Sequence, residues 1–397
     1  MIPVGFLTIK SWVTTLSLIA FLLAIILLVM TSNRIKMTKF DALICFAFAS
    51  LFLADLGAQL LRSELIPSEL DASSRLLIFI PVLVVLRTYN INLSTPFSIS
   101  VALGLILSLV HVWTQPEYYW GDRWASKPAD PNTLGLFCMV MLAHLMSMAA
   151  KPTASLKLNL FYLAAISAGL ITLIQSQSRG AWLAMLAIFI LTLWLDRHNY
   201  RRNLMWIVVP AILLVLANLS FKESLSARAT SIPKEVIGWL KGSREANSGA
   251  VRLDMVPLSV RLIQSEPARI IYGYGDKGYA DAVKAVAASE RELEAAIAMI
   301  NTPHNEFLGK ILKSGCMGGV AAAMVLMCPL LILSRQKKVK HTLESSWWGI
   351  PLGIILASLT MGVFGLAFTA SFYAIATAIL MATHASNHQN EKFSYDQ

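Results

Sequence analysis

Three short elements carry the residue types that can do chemistry. The first is Gln177-Ser178-Arg179-Gly180-Ala181-Trp182, between two apolar runs, with Arg179 at the mouth of a helix that starts near Gly180. Backbone N–H groups and the helix dipole at such a start add to a guanidinium and make an anion site. The second is Gly249-Ala250-Val251-Arg252-Leu253-Asp254-Met255, early in a long polar stretch; on a helix Asp254 diverges from Arg252. The third, Thr302-Pro303-His304-Asn305-Glu306-Phe307, lies where that stretch runs back into apolar sequence. Pro303 fits the first turn of the helix that follows. His304, an imidazole titrating at about 6.5 when unperturbed, is placed to move a proton. Glu306 either orients that ring or faces headgroups. Each element also has a plain structural reading. Arg179 can snorkel to headgroups, Arg252 and Arg261 can be exposed charges on an amphipathic helix, and His304 can be a polar cap.

Other chemistries lack their residues. There is no Asp-x-Asp pair to hold a metal on a nucleotide sugar, no HExxH and no Cys/His zinc set. Tyr272-Gly273-Tyr274-Gly275 lacks the GK[ST] ending of a phosphate loop and reads as a turn. Cys45, Cys138, Cys316 and Cys328 all fall in apolar stretches without metal or disulfide spacing, and are expected as small buried hydrophobes. No cofactor is expected.

The elements that must position these residues are membrane spans. Of 397 residues, 56% are hydrophobic and 14% charged, with mean hydropathy +0.62; soluble domains carry about 25% charged residues. The net charge of +10 comes in short clusters between apolar runs, the distribution of a polytopic membrane protein, which argues against nucleic acid as a partner. Expected spans are Trp12–Met30, Ala42–Leu61, Leu76–Leu86, Pro96–Trp113, Leu134–Ala149, Leu158–Ile174, Ala181–Leu195, Leu204–Leu219, Phe307–Leu333, Trp348–Leu366 and Ala367–Ala385, within a range of ten to twelve. The N-terminus is expected as a retained span, since it lacks the basic start and cleavage site of a signal peptide.

Lys and Arg in alternate short loops number thirteen on one side, including Arg34, Arg201 and Lys338, and six on the other, including Arg62, Arg123 and Arg179. By that asymmetry the first set is cytoplasmic and residues 220–306 lie outside. Three regions follow: spans over 1–219, a large outer loop over 220–306, and spans over 307–397. The loop is expected to fold. Pro233–Gly242 reads as a short amphipathic helix at the membrane surface, Arg252–Glu266 as a helix ending before Pro267, and Gly278–Ile300 as an alanine-rich helix. An earlier outer loop, 114–132, surrounds Arg123 with Tyr118, Tyr119, Trp120 and Trp124, which read chiefly as interface anchors.

In this order and on one side of the membrane, the three elements resemble the O-antigen ligase family and its polymerase relatives. The resemblance covers residues 175–320 by motif and the rest by hydropathy. It implies an all-α GT-C-type membrane glycosyltransferase of the bacterial inner membrane, facing the periplasm. It also implies transfer of a glycan from undecaprenyl pyrophosphate to lipid A–core without metal. Carried over, the match falls on Arg179 and Arg252, which would hold the donor, and on His304 as the base, with Arg123 as a further contact; from their own placement Glu306 and Arg261 are also expected as substrate contacts. A polymerase extending glycan on the lipid carrier has the same topology and arginine logic and remains the alternative. Eleven spans put the N-terminus outside, whereas the family more often has twelve.

Overall fold

A computed structural model of the chain describes residues 1–31, 35, 37–119, 123–149, 155–195, 234–235, 237–241, 248–287, 297, 303–335 and 348–395. Helices dominate. In chain order they begin with α1 (Trp12–Met30), α2 (Lys39–Leu61), α3 (Pro67–Ser74), α4 (Phe79–Thr88) and α5 (Ser94–Thr114). A hairpin of β1 (Glu117–Tyr119) and β2 (Arg123–Ala125) precedes α6 (Pro131–Ala149), α7 (Leu156–Gln175) and α8 (Arg179–Leu195). Then come α9 (Ser248–Ser265), α10 (Arg269–Tyr272), α11 (Gly275–Ala285), α12 (Glu306–Arg335), α13 (Gly349–Ser358) and α14 (Ala367–Tyr395).

Six of these, α1, α2, α5, α6, α7 and α12, are long and apolar enough to cross a membrane. A helix closes its own backbone hydrogen bonds, which lipid demands. The chain is thus a mostly helical polytopic membrane protein. α6 lies at the centre, with every side chain from Leu136 to Leu142 buried, while α1 turns Leu18, Leu22, Leu23 and Ile26 outward. Around α6 pack α5, α7, α8 and α13, and α2 runs along α12.

Three expected elements differ. Leu76–Leu86 is not one helix but a 3-10 turn, Arg75–Ile78, followed by the ten-residue α4. Ten residues rise only about 15 Å, so α4 cannot cross alone. Arg87 at its end pairs with Asp41 at the start of α2 (2.9 Å), so α3, the turn and α4 together run antiparallel to α2. Trp348–Leu366 likewise breaks: α13 stops at Ser358 and a 3-10 turn at Val363–Gly365 precedes α14. Irregular backbone in a membrane bundle is tolerated where it lines a cavity, as it does here (below). The aromatic loop makes a hairpin, pairing Tyr118 with Trp124, which the all-helical expectation omitted. Leu204–Leu219 lies outside the described residues, and Cys316, expected buried, is exposed.

The stretch expected to fold between the apolar halves does so where it is described. α9 begins at Ser248, earlier than expected, and ends at Ser265, ahead of Pro267. The alanine-rich helix runs to Ala285 and its remainder lies largely outside the described residues. Met255, Leu258 and Leu262 of α9 meet Tyr274, Tyr279 and Val283 of the α10–α11 corner and Leu312 of α12 in a second, smaller apolar core. Two glycines allow this docking. Gly273 and Gly315 both hold φ near +70° (67° and 74°), where a side chain is strained. A Cβ on Gly315 would sit 2.2 Å from the Ile271 carbonyl, and one on Gly273 2.3 Å from that of Lys313. The break in α12 at Gly315 is therefore where α10 seats.

Candidate active site

The ends of many elements gather at one end of the bundle. Arg123 is the pin. Buried to 7% exposure, it donates from Nε to the Ser176 carbonyl (3.1 Å) and from Nη2 to Asn132 Oδ1 (2.8 Å). It thereby ties β2 to the end of α7 and the start of α6. Two of its nitrogens are committed to holding the loop that carries Arg179, a positioning duty that the aromatic setting did not suggest.

α8 starts at Arg179 itself. Gln177 just before it holds φ 49°, left-handed backbone that costs a non-glycine residue about 1–2 kcal/mol. Gly180 lets this start approach the broken span: a Cβ there would press on Thr360 at 3.2 Å. Arg179 Nη1 donates to Glu235 Oε1 at 2.7 Å, with the two side chains 18% and 11% exposed. Arg252, on the first turns of α9, lies within electrostatic reach of both. Burial, and then the charge of Arg179, push its guanidinium below the ordinary value, and Glu235 opposes them. Two cations and one carboxylate thus share a partly desolvated space.

His304 closes the group. Its backbone is also left-handed, at φ 50°. Asn305 caps the next helix, accepting the Leu308 N–H on Oδ1 (3.0 Å), so α12 begins at Glu306. Pro303 consequently stands before the helix and not in its first turn, because the asparagine side chain supplies the cap. Burial and then the Arg252 charge hold the His304 imidazole below its usual pKa, against a smaller opposing pull from Asp130. The ring is therefore neutral at neutral pH, the state of a base.

Beside His304 opens a cavity of about 370 Å³, within the range of small-molecule sites. Asp130, Glu306, Lys310, Thr360 and Phe364 line it, so the irregular stretch after α13 forms its wall. Glu306 is buried and accepts the Phe364 N–H at 2.9 Å, which fastens that wall to α12; this is the partner the fold gives a carboxylate expected beside the imidazole or at headgroups. Arg261 is half-buried on α9. At 100° per residue, it and Arg252 fall on opposite flanks of the stripe Met255, Leu258, Leu262. The structure brings Arg179, Arg252 and His304 to one place and leaves Arg261 across the helix.

Two further residues belong to the group. Asp130 was legible as a helix start, followed by Pro131, Asn132 and Thr133. It accepts the Asn132 N–H (2.8 Å) and the Thr133 hydroxyl (2.6 Å). Glu235 carries no such signal, since a glutamate on a short amphipathic helix reads as solvent-facing.

Residues 163–323, which include Arg179, Arg252 and His304, match the family described as O-antigen ligase. An uncharacterized protein of Haemophilus influenzae is 23% identical over 335 residues, 81% of this chain and 80% of that protein. It is the matched segment, with its two arginines and one histidine at one end of the helical bundle, that is similar to the O-antigen ligase family.

Proposed function

We propose that the protein transfers a glycan from undecaprenyl pyrophosphate to lipid A–core at the periplasmic face of the bacterial inner membrane, as a GT-C-type, inverting, metal-independent glycosyltransferase. The observation that carries this is the convergence of Arg179, Arg252 and His304 from three separate segments, with a cavity opening beside His304. In the step, the acceptor hydroxyl oxygen attacks the anomeric carbon and its proton passes to His304. The sugar–phosphate bond breaks, and its electron pair leaves with the lipid pyrophosphate. Negative charge grows on that leaving group, and two guanidinium forks are suited to receive it by bidentate hydrogen bonds in place of a divalent ion. A single displacement inverts the sugar. The imidazole, held neutral by burial and by Arg252, accepts a proton without first losing one.

The test is reconstitution of the full-length protein with lipid-linked glycan and lipid A–core in EDTA. Glycan should appear on lipid A–core with the parental protein and not with His304→Ala. Parental transfer by the variant would remove the base, and abolition of parental transfer by EDTA would remove the metal-free arginine clamp. Long polymer built on the lipid carrier, with none on lipid A–core, would favour a polymerase.

A further inference from the structure

The anion site is already occupied by part of the protein. Glu235 Oε1 sits 2.7 Å from Arg179 Nη1 and its charge also reaches Arg252. A carboxylate offers a guanidinium the same pair of coplanar oxygens that a phosphate does. The helical stretch bearing Glu235 is fastened in place, because Trp239 Nε1 donates to Asp254 of α9 at 2.7 Å. On the same stretch Ile237 and Leu240 are 50% and 70% exposed, apolar side chains suited to a bilayer surface. Arg179 Nε, buried, has no hydrogen-bond partner among the described residues, which leaves a donor for a second oxygen.

We propose that Glu235 is a specificity-determining residue: an internal anion that a pyrophosphate displaces from Arg179 and Arg252 and that a singly charged phosphodiester does not. The inference rests on the reading of these arginines as the donor clamp. Its physical basis is competition. An arginine pair beside a membrane faces phosphodiester headgroups in vast excess over any lipid pyrophosphate, and each could dock on a bare guanidinium. A carboxylate held at hydrogen-bonding distance sets a threshold, since a ligand must gain more from the two cations than Glu235 does. One negative charge merely matches it. A pyrophosphate carries more, so it wins the exchange. Between turnovers the same carboxylate keeps two like charges from repelling across a desolvated gap.

The experiment uses the full-length protein in nanodiscs and inorganic pyrophosphate as probe, with binding read by calorimetry. Discs are made of phosphatidylcholine alone or with phosphatidylglycerol added. In phosphatidylcholine, Glu235→Gln should bind pyrophosphate about tenfold more tightly than the parent. Phosphatidylglycerol should erase that gain in the variant while leaving the parent nearly unchanged. Equal or weaker binding by the variant overturns displacement, and equal competition by phosphatidylglycerol in both proteins overturns the selectivity. Glu235→Ala gives the same readout if the glutamine variant does not fold. Arg179→Gln separates the two layers. If it binds as the parent does, the clamp reading falls; if it loses binding while Glu235→Gln gains none, only the role of Glu235 falls. Absence of binding by every protein overturns both.

Discussion

Two charged clusters lie near the same end of the molecule and obey different arithmetic. Between α2 and α12, Lys310 Nζ meets Asp55 Oδ2 at 2.8 Å while Ser314 donates to Asp55 Oδ1 at 2.6 Å. Carboxylates at least match the cation here, since the buried Glu306 also lies within electrostatic reach of Lys310; the second oxygen of Asp55 is taken by a hydroxyl, and the Lys310–Asp55 pair bolts two membrane helices together. At the head of α8, Arg179 and Arg252 share Glu235. Here the positive charge is in excess, and the donors are guanidiniums, not an ammonium. An acidic residue inside a span, as Asp55 is, can mark a transport path; the direct ion pair with Lys310 gives it a structural role. Burial alone therefore does not identify a site for an external anion. On the proposed function, an excess of guanidiniums over carboxylates is what sets the donor site apart from this joint.

The largest effect that would sharpen this contrast lies at the group served by the arginines. His304→Ala should lower kcat by about 10²–10⁴-fold with little change in donor binding, measured by transfer of lipid-linked glycan. Next, Arg179→Lys and Arg252→Lys should each cost about 10²–10³-fold in transfer, because lysine keeps the charge and loses the fork. Parental rates in either would show that charge alone suffices and would erase the distinction from Lys310. In the balanced cluster the expectation reverses. Asp55→Ala removes the direct partner of Lys310 and should destabilise the protein by up to about 3 kcal/mol, read as a fall in Tm, with a smaller loss of turnover in the folded protein than either arginine variant shows. Smallest is a displacement of the pH profile. Because its folded pKa is lowered, His304 stays a base down to below about pH 6.5, and activity is lost as pH falls through that lowered value. Asp130 opposes the lowering, so Asp130→Asn should move the acidic limb further down; a limb moved upward would contradict the placement of that carboxylate.

Much of the membrane frame was readable because the free energy of placing apolar residues in lipid accumulates residue by residue along a contiguous stretch. That is why α1, α2, α5, α6, α7 and α12 fall close to their expected places. The failures share a cause. At Leu76–Leu86 and Trp348–Leu366 the sequence is as apolar as a span, yet the helix breaks, since apolarity specifies an environment and not a continuous hydrogen-bond ladder. The bend at Gly315 has the same origin: whether a glycine inside an apolar run turns left-handed depends on what docks against it, here α10.

The chemistry divides likewise. Residue type alone determined which groups were available: guanidiniums of a kind suited to phosphate oxygens, an imidazole, and apolar spans between which they fall. Tertiary structure alone decided their partners. It spent Arg123 on Ser176 and Asn132, put Arg261 across α9 from Arg252, and drew Glu235 onto Arg179 across 56 residues of chain. The physical reason is that charges interact through space over a few ångströms, while the distance along the chain between partners is set by packing. No local pattern records it.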